Sequence, residues 1–325
     1  MRAIRVHEVG GAEVLRLDDV SVPDPGDGEV RVRVRAAGVN FIDIYHRTGL
    51  YPMPLPFTPG QEAAGEIDAV GPGVTDFRAG QRVAYASVSG SYRDFAIVPQ
   101  RMLVGIPDNV SFELAAATML QGMTAHYLAF SAFSLHPGHR CLVHAGAGGV
   151  GRLLVQIAKT MCGAIVYATA GTPEKADLAR SAGADEVILY REQDFALEIE
   201  RLTAGAKVDV VYDSVGQATF EKSLQCLRPR GMLVMFGQSS GAVPPVNLRM
   251  LATGGSLYLT RPTLHHYIAT AAELRWRSGD LFSWIEAGML EVRIDSVFPL
   301  ERAADAQRRL ESRQSAGKVL LVVDG

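Results

Sequence analysis

The segment from Cys141 to Gly151 has the residue types and the spacing of a site for nucleotide phosphates. It begins as a short buried strand and turns through a run of glycines into residues 153–159, which have the apolar spacing of a helix. Gly146, Gly148 and Gly151 fit the pattern G-x-G-x-x-G. There the first glycine permits a tight turn, the second lets the backbone approach a pyrophosphate, and the third lets helix pack on strand. Because a helix N-terminus presents N–H groups and a positive dipole end to phosphates, the segment predicts a dinucleotide site.

The residues after the next predicted strand favour NADPH over NADH. Enzymes that use NAD place Asp or Glu about 20 residues past the glycines, where it holds the ribose 2′-OH. Here that position falls on residues 170–172, Ala-Gly-Thr, so no carboxylate stands there to repel a 2′-phosphate. The nearest acid, Glu174, follows Thr172 as a helix N-cap and Pro173 as the first helical residue, which explains Glu174 as a partner of the helix dipole. Lys175 in the same turn supplies the cation that a phosphate requires.

The cysteines and histidines lack the spacing of a metal site. The three cysteines lie far apart and none belongs to a C-x-x-C pair, so we expect small buried apolar residues at Cys141, Cys162 and Cys226. The histidines show no ligand spacing, and we expect surface or hydrogen-bonded side chains at His7, His46, His126, His136, His139, His144, His265 and His266.

Composition limits the classes of partner. At 325 residues we expect two domains. The 32 basic and 35 acidic side chains give a net charge of −3 without a long run of one sign, so neither nucleic acid nor an anionic membrane is favoured. Charges interrupt the first residues where a signal peptide needs an apolar core, and no stretch approaches the length of a membrane span. We therefore expect a cytoplasmic protein.

The first 110 residues read as an antiparallel β domain. They are rich in β-branched residues, glycine and proline, and residues 29–36 alternate so that the valines point one way and the arginines the other. Residues 60–71 and 80–85 continue the pattern as short strands bounded by glycines.

From residue 139 strands alternate with helices, which predicts a Rossmann domain with a doubly wound parallel sheet. The six strands are predicted at Arg140–His144, Ile165–Ala170, Glu186–Leu189, Val208–Asp213, Met232–Phe236 and Ser256–Leu259. Beyond them we predict helices over Tyr267–Ser278, Leu281–Ala287 and Leu300–Glu311, and strands over Val292–Val297 and Gly317–Val323. Because these residues lie past a complete six-stranded sheet, we expect them to return to the N-terminal domain.

Several motifs together resemble the medium-chain dehydrogenase/reductase superfamily and, within it, the zinc-independent quinone oxidoreductases related to zeta-crystallin. They are AGVNFIDIY (37–45), GQEAAG (60–65), GAGGVG (146–151), VYDSVG (211–216), FGQSSG (236–241) and SLYLTRP (256–262). The resemblance implies an α/β protein with a GroES-like antiparallel β domain, residues 1–122 and 261–325, and a Rossmann domain, residues 123–260. It also implies a cofactor cleft between the domains.

The resemblance also bears on metal binding. Alcohol dehydrogenases of this superfamily hold a catalytic zinc at positions that correspond here to Asn40, Gln61 and Gln121. Neutral amides are poor zinc ligands compared with thiolate and imidazole. The four-cysteine lobe of those enzymes is also missing, since residues 82–92 contain no cysteine. We therefore predict no metal.

By resemblance, the function is NADPH-dependent reduction of small quinones, either by hydride transfer or by one-electron steps to a semiquinone. A quinone is already electrophilic, so it needs less help from a Lewis acid than an alcohol does.

The resemblance also implies the site residues. The predicted catalytic residues are Asn40, Tyr45 and Gln61 as donors near the nicotinamide, with Asp43 orienting them. Lys318 and Arg313 are predicted to lie in the C-terminal segment that, in this family, closes over the cofactor. The predicted cofactor-binding residues are Asn40, Tyr45, Thr124, Gly148, Gly149, Val150, Gly151, Gly171, Thr172, Lys175, Tyr190, Ser214, Phe236, Gly237, Gln238, Ser239 and Arg313.

Two other functions stay open at this point. An NADPH-dependent enone or alkene reductase would use the same scaffold but requires a proton donor at the α-carbon of the substrate. A nucleotide-gated RNA-binding or structural crystallin-like protein is the other alternative, and the acidic charge balance disfavours RNA. The apolar strand Ser256–Thr260 is the expected sheet edge, and pairing it with a second copy would give a homodimer.

Overall fold

The structure is a computed structural model that describes residues 1–323. The chain forms two compact units: unit 1 contains Met1–Met123 and the residues from Ile268 onward, and unit 2 contains Thr124–Tyr267. None of the helices within residues 1–323 combines the length and the apolar character that a membrane crossing needs.

Strands dominate the N-terminal part of unit 1, as predicted. Along β3 the valines are buried and the arginines between them are partly exposed, which confirms the predicted alternation. The elements are β1 (Arg2–Val6), β2 (Leu15–Asp19), β3 (Glu29–Val39), α1 (Phe41–Arg47), β4 (Glu62–Val70), β5 (Arg82–Ala86), β6 (Phe95–Pro99), β7 (Leu103–Gly105) and α2 (Phe112–Tyr127).

Unit 2 has the predicted doubly wound parallel sheet. Its strand order is β10-β9-β8-β11-β12-β13, and every neighbouring pair is parallel. The elements are β8 (Arg140–Val143), α3 (Gly149–Gln156), β9 (Ile165–Ala170), α4 (Pro173–Ser181), β10 (Glu186–Leu189), α5 (Phe195–Leu202), β11 (Val208–Asp213), α6 (Phe220–Gln225), β12 (Leu227–Met235), α7 (Arg249–Thr253), β13 (Tyr258–Thr260) and α8 (Leu264–Tyr267). Strand β12 begins earlier than predicted because Leu227 pairs with Val208 across a register shift.

The last residues add two strands to the sheet of unit 1. The elements are α9 (Ala271–Glu286), β14 (Ile294–Pro299), α10 (Ala303–Glu311) and β15 (Lys318–Val322). Strand β15 is antiparallel to β3, whereas β14 is parallel to β15. The parallel pair departs from the antiparallel pairing of the rest of this sheet, because α10 connects β14 to β15 as a crossover. Residues 271–286 form one helix rather than the two predicted, since a glycine within a helix weakens it without necessarily ending it.

Candidate active site

The glycine run forms the turn between β8 and α3. Gly148 is the N-cap of α3. Because glycine has no side chain, nothing at the cap blocks the approach of a ligand to the first N–H groups of the helix. The one residue of this turn with a left-handed backbone is Ala145, at φ 55°. Gly146 itself does not have a left-handed backbone. A Cβ there would lie 2.7 Å from the Cβ of Ala168, so glycine is required at this position by close packing on β9.

The third glycine packs α3 against this turn, as predicted. A Cβ on Gly151 would lie 2.2 Å from the carbonyl oxygen of Ala145, and one on Gly148 would lie 3.1 Å from the same oxygen. Gly149 and Val150 are partly exposed in the first turn of the helix. The helix N-terminus is thus open and lies close to the turn, which is the arrangement that fits a pyrophosphate.

The residues predicted for the 2′-phosphate lie together after β9. Thr172 is the N-cap of α4, and its hydroxyl accepts a hydrogen bond from the N–H of Lys175 at 3.3 Å. A hydrogen bond with the Thr172 side chain lowers the pKa of Glu174, which confirms that this acid belongs to the helix start. A Cβ on Gly171 would lie 2.7 Å from the hydroxyl oxygen of Tyr190, so the half-exposed Tyr190 ring covers that glycine.

The residues predicted near the cofactor ribose lie in two neighbouring loops, after β11 and after β12. Ser239 donates its N–H to the carbonyl of Ser214 at 3.1 Å. A Cβ on Gly237 would lie 2.6 Å from the same carbonyl oxygen, so only glycine permits this approach. Phe236 is partly buried at the end of β12, and Gln238 accepts the N–H of Gly241 in the following turn. Thr124 is buried in α2.

In unit 1, Asn40 is buried between β3 and α1, and its side-chain amide is held at both ends. The amide nitrogen donates to Oε1 of Glu62 at 2.7 Å and to the carbonyl of Gly38 at 3.3 Å. The amide oxygen accepts from Nζ of Lys318 at 2.8 Å. Because both amide hydrogens already have acceptors, Asn40 is an oriented structural amide in this structure.

Lys318 and Glu62 form an ion pair with both side chains fully buried. The other oxygen of Glu62 accepts the N–H of Leu120 at 2.6 Å. Lys318, which the resemblance assigns to the segment that closes over the cofactor, is buried, because the pairing of β15 with β3 carries it into the interior of unit 1. The ion pair of Lys318 with Glu62 was not predicted from the sequence. The one nearby residue that reflects it is Gly38, because a Cβ there would collide with the carboxylate of Glu62. Arg313 lies in the turn between α10 and β15 with φ 57°.

Asp43 caps α1 from its first turn and is fully buried. Its Oδ2 accepts the N–H of Asn40 at 2.9 Å and the hydroxyl of Tyr92 at 2.8 Å. Burial raises the pKa of Asp43 to about 7, although these hydrogen bonds oppose the shift. Burial, and then the charge of Asp43, raise the pKa of Tyr92 well above its ordinary value. Tyr92 was another residue that the sequence did not single out.

Tyr45 and Gln61 occupy different surroundings. The partly exposed ring of Tyr45 packs edge-on against Tyr51, with ring centroids 5.3 Å apart. Gln61 is buried, and its amide nitrogen donates to the hydroxyl of Ser89 at 2.7 Å. Gln121 is partly buried in α2.

The three cysteines are free and buried, as predicted. Burial raises the pKa of each thiol, to about 11 for Cys162 and about 12 for Cys226. Among residues 1–323, no group of three or more His, Cys, Asp or Glu side chains is arranged to hold a metal ion.

Comparison with known proteins identifies the family. Residues 26–108 match the family model described as "Alcohol dehydrogenase GroES-like domain", and residues 149–274 match "Zinc-binding dehydrogenase". A quinone oxidoreductase of Pseudomonas aeruginosa is 46% identical over 323 residues, which are 99% of this chain and 99% of that protein. The chain belongs to the quinone oxidoreductase family.

Members and relatives of this family share the whole fold. The crystal structure of Escherichia coli quinone oxidoreductase complexed with NADPH superposes with a TM-score of 0.97 at 45% identity, covering 99% of this chain and 100% of that one. A 2-haloacrylate reductase of a Burkholderia species is 41% identical over 326 residues, covering 98% of this chain and 97% of the relative. The family therefore includes proteins named for two different kinds of acceptor.

Proposed function

We propose that this chain reduces small quinones with NADPH and without a metal ion. The observation that carries the proposal is the pair of sites in unit 2. One is the open N-terminus of α3, and the other is the cluster of Gly171, Thr172, Lys175 and Tyr190 with no carboxylate at residues 170–172. Relatives that cover nearly the whole chain are named quinone oxidoreductases, and one similar structure is titled as an NADPH complex.

The residues of unit 2 fit the phosphates and ribose of NADPH. The first turn of α3 would bind the pyrophosphate through backbone N–H groups, with Gly148 and Gly151 allowing the close approach. Lys175 would pair with the 2′-phosphate beside the Thr172 hydroxyl. NADPH, when bound, supplies reducing equivalents from C4 of its dihydronicotinamide ring.

The residues of unit 1 act on the acceptor in this proposal. Tyr45 and Gln61 carry donors that stabilise negative charge on a quinone oxygen as reduction proceeds. Asn40 and Asp43 position them: Asp43 caps α1, the helix that carries Tyr45, and Asn40 is fixed by Glu62 and Lys318. Because Asn40, Gln61 and Gln121 stand at the positions that the resemblance assigns to zinc ligands, and amides bind zinc poorly, no Lewis acid takes part.

A second function is favoured by one finding, the 41% identical 2-haloacrylate reductase. Reduction of an activated alkene needs the same cofactor and, in addition, a proton delivered to the α-carbon. For this second function, Tyr45 on α1 is the candidate proton donor to the α-carbon. Reduction of a quinone needs no proton donor at a carbon atom, because the charge arrives on oxygen.

The test is anaerobic oxidation of NADPH against a panel containing 1,4-benzoquinone, a naphthoquinone, an α,β-unsaturated ketone and 2-chloroacrylate, with product analysis. We expect turnover with the quinones. Reduction of the alkenes with the quinones left unchanged would favour the second function. An electron spin resonance signal from the quinone within the first turnover, before hydroquinone accumulates and reacts with quinone to give semiquinone, would indicate one-electron steps, and its absence would indicate hydride transfer.

Lys175→Glu tests the cofactor assignment, because it places a negative charge against the 2′-phosphate. We expect the preference for NADPH over NADH, measured as the ratio of kcat/KM values, to fall by about 100-fold. The matched control is Arg249→Glu, a charge reversal at an exposed residue of the same unit, which should leave the ratio unchanged. An unchanged ratio in Lys175→Glu would show that the cofactor assignment is wrong.

A further inference from the structure

A row of buried polar side chains lies directly beneath the glycine turn of unit 2. His144 follows β8, and its ring stands between Thr169 on β9 and Ser223 on α6. Nδ1 of His144 lies 3.1 Å from the Thr169 hydroxyl, and Nε2 lies 3.0 Å from the Ser223 hydroxyl. All three side chains, and Asp213 at the end of β11, are buried. The edge of the His144 ring meets Phe195, with ring centroids 4.8 Å apart.

The direction of these hydrogen bonds follows from Asp213. Its Oδ1 accepts the N–H groups of Val215 at 2.7 Å and Gly216 at 3.1 Å. Its Oδ2 accepts the hydroxyls of Thr219 at 2.7 Å and Ser223 at 2.9 Å. Four donors surround the carboxyl group, so it acts only as an acceptor. Ser223 has a single hydroxyl hydrogen and gives it to Asp213, and therefore the Ser223 oxygen accepts from Nε2–H of His144.

The other ring nitrogen is then an acceptor. Burial lowers the pKa of His144, although the charge of Asp213 opposes this, so the ring is neutral with its hydrogen on Nε2. Nδ1 accepts the hydroxyl hydrogen of Thr169. The Thr169 oxygen is left free to accept the N–H of Ala145 at 3.2 Å, and the Thr169 carbonyl accepts the N–H of Gly146 at 3.0 Å.

Thr169 thus holds the first two backbone N–H groups of the glycine turn, and His144 sets the direction of its hydroxyl. The turn needs this support because Ala145 has a left-handed backbone, which is unfavourable for an L-residue. The carbonyl oxygen of Ala145 is also the atom against which Gly148 and Gly151 pack. A shift of Ala145 would therefore move the N-terminus of α3.

We propose that His144, as the neutral Nε2–H tautomer, is a positioning residue that fixes the phosphate-binding turn through Thr169. The inference rests on the proposed function, in which that turn binds the pyrophosphate of NADPH. His144 touches neither cofactor nor acceptor in this account, so its loss weakens NADPH binding and leaves kcat nearly unchanged.

The first measurement reads the tautomer without any activity. Histidine ¹⁵N chemical shifts of the protein at neutral pH separate Nε2–H, Nδ1–H and doubly protonated rings, and comparison with His144→Phe assigns the signal. We expect a neutral Nε2–H ring. An Nδ1–H or doubly protonated ring would overturn the proposal, because the hydrogen bonds could not then run from Ala145 to Asp213.

The second measurement compares two buried threonines of unit 2 whose hydroxyls each accept a backbone N–H. Thr169 accepts from Ala145, whereas Thr203 accepts from Lys207 after α5. We expect Thr169→Val to raise the dissociation constant for NADPH by about tenfold, with kcat little changed, and His144→Phe to do the same. Thr203→Val should have no effect on NADPH binding, and Thr169→Ser, which keeps the hydroxyl, should bind as the parent does.

The outcomes separate this inference from the proposed function. If the parent protein binds no NADPH, both fail. If the parent binds NADPH and folded Thr169→Val binds it equally well, the inference alone fails and the proposed function stands. Circular dichroism and thermal unfolding establish that each variant is folded, and Thr169→Val and Thr169→Ser decide the question even where His144→Phe does not fold.

Discussion

At the level of single residues, the side-chain amide of Asn40 is oriented by hydrogen bonds to side chains that are distant in sequence. The motif around it allowed its position to be predicted, and so did the neutral amides at 61 and 121. The hydrogen bonds to Glu62 and Lys318 could not be predicted, because Lys318 lies 256 positions after Glu62 and only the pairing of β15 with β3 brings it near. A buried ion pair leaves no periodic pattern in the sequence.

Asp43 gives a prediction about stability and pH. Its pKa is raised from 3.8 to about 7 in the folded protein, so the stability it contributes is present below about pH 4 and is lost as the pH rises through 7. The side chain of Asp43→Asn does not ionise, so this variant does not lose the stability that the parent loses as the pH rises. We expect the unfolding free energy of the variant, relative to that of the parent, to rise by about 2–4 kcal/mol between pH 4 and pH 8. Thermal unfolding of both proteins across this range measures the difference.

Asp295→Asn is the matched control for Asp43→Asn. Burial raises the pKa of Asp295, but hydrogen bonds from Arg309 and from the N–H of Ala316 lower it overall. Because the pKa of Asp295 is lower in the folded protein than in the unfolded chain, Asp295 is ionised in both forms from pH 5 to pH 8. The stability difference between this variant and the parent should therefore be constant over that range. A difference for Asp43→Asn that is equally constant would refute the raised pKa.

At the scale of the element, the strands and the glycine turn of unit 2 were predictable because both have local sequence patterns. All six strands occur where the alternation of apolar runs and turn residues indicated, apart from the earlier start of β12, and α4 begins at the predicted cap. The role of each glycine was harder to predict. The left-handed residue is Ala145, and Gly146 is needed only because Ala168 on the neighbouring strand lies so close.

Gly151→Ala tests the packing of α3 on this turn. The added Cβ would lie 2.2 Å from the Ala145 carbonyl, and since that is backbone, helix or turn must move. We expect the dissociation constant for NADPH to rise by roughly tenfold or more. Gly279→Ala is the control: nothing lies within 4 Å of its added Cβ in α9, so NADPH binding should not change and unit 1 should gain about 0.5–1 kcal/mol. Equal NADPH affinities for the two variants would contradict the account of the turn.

At the scale of the whole molecule, the sequence predicted β13 as the edge of the six-stranded sheet, and the topology confirms that position. Tyr258 on this strand is 57% exposed, and an exposed apolar edge is commonly paired. We therefore propose a homodimer formed through β13. A cytoplasmic location stays a prediction from the sequence.

Tyr258→Lys tests the dimer, because a charged side chain on an edge strand disfavours pairing. We expect the parent to sediment as a dimer and this variant as a monomer. Val297→Lys places the same charge on an exposed apolar residue of β14, an edge strand of the seven-stranded sheet of unit 1, and should leave the dimer intact. A dimer that persists in Tyr258→Lys, or dissociates equally in both variants, would exclude β13 as the interface.

We propose above that NADPH reduces a quinone on this protein without help from a metal. The most direct measurement is the rate of anaerobic NADPH oxidation by 1,4-benzoquinone, with zinc quantified in the same sample before and after treatment with a strong chelator. We expect undiminished turnover with far less than one zinc per chain. One tightly held zinc per chain, quinone turnover that disappears with it, and NADP-linked oxidation of a simple alcohol would show instead that a metal carries the reaction.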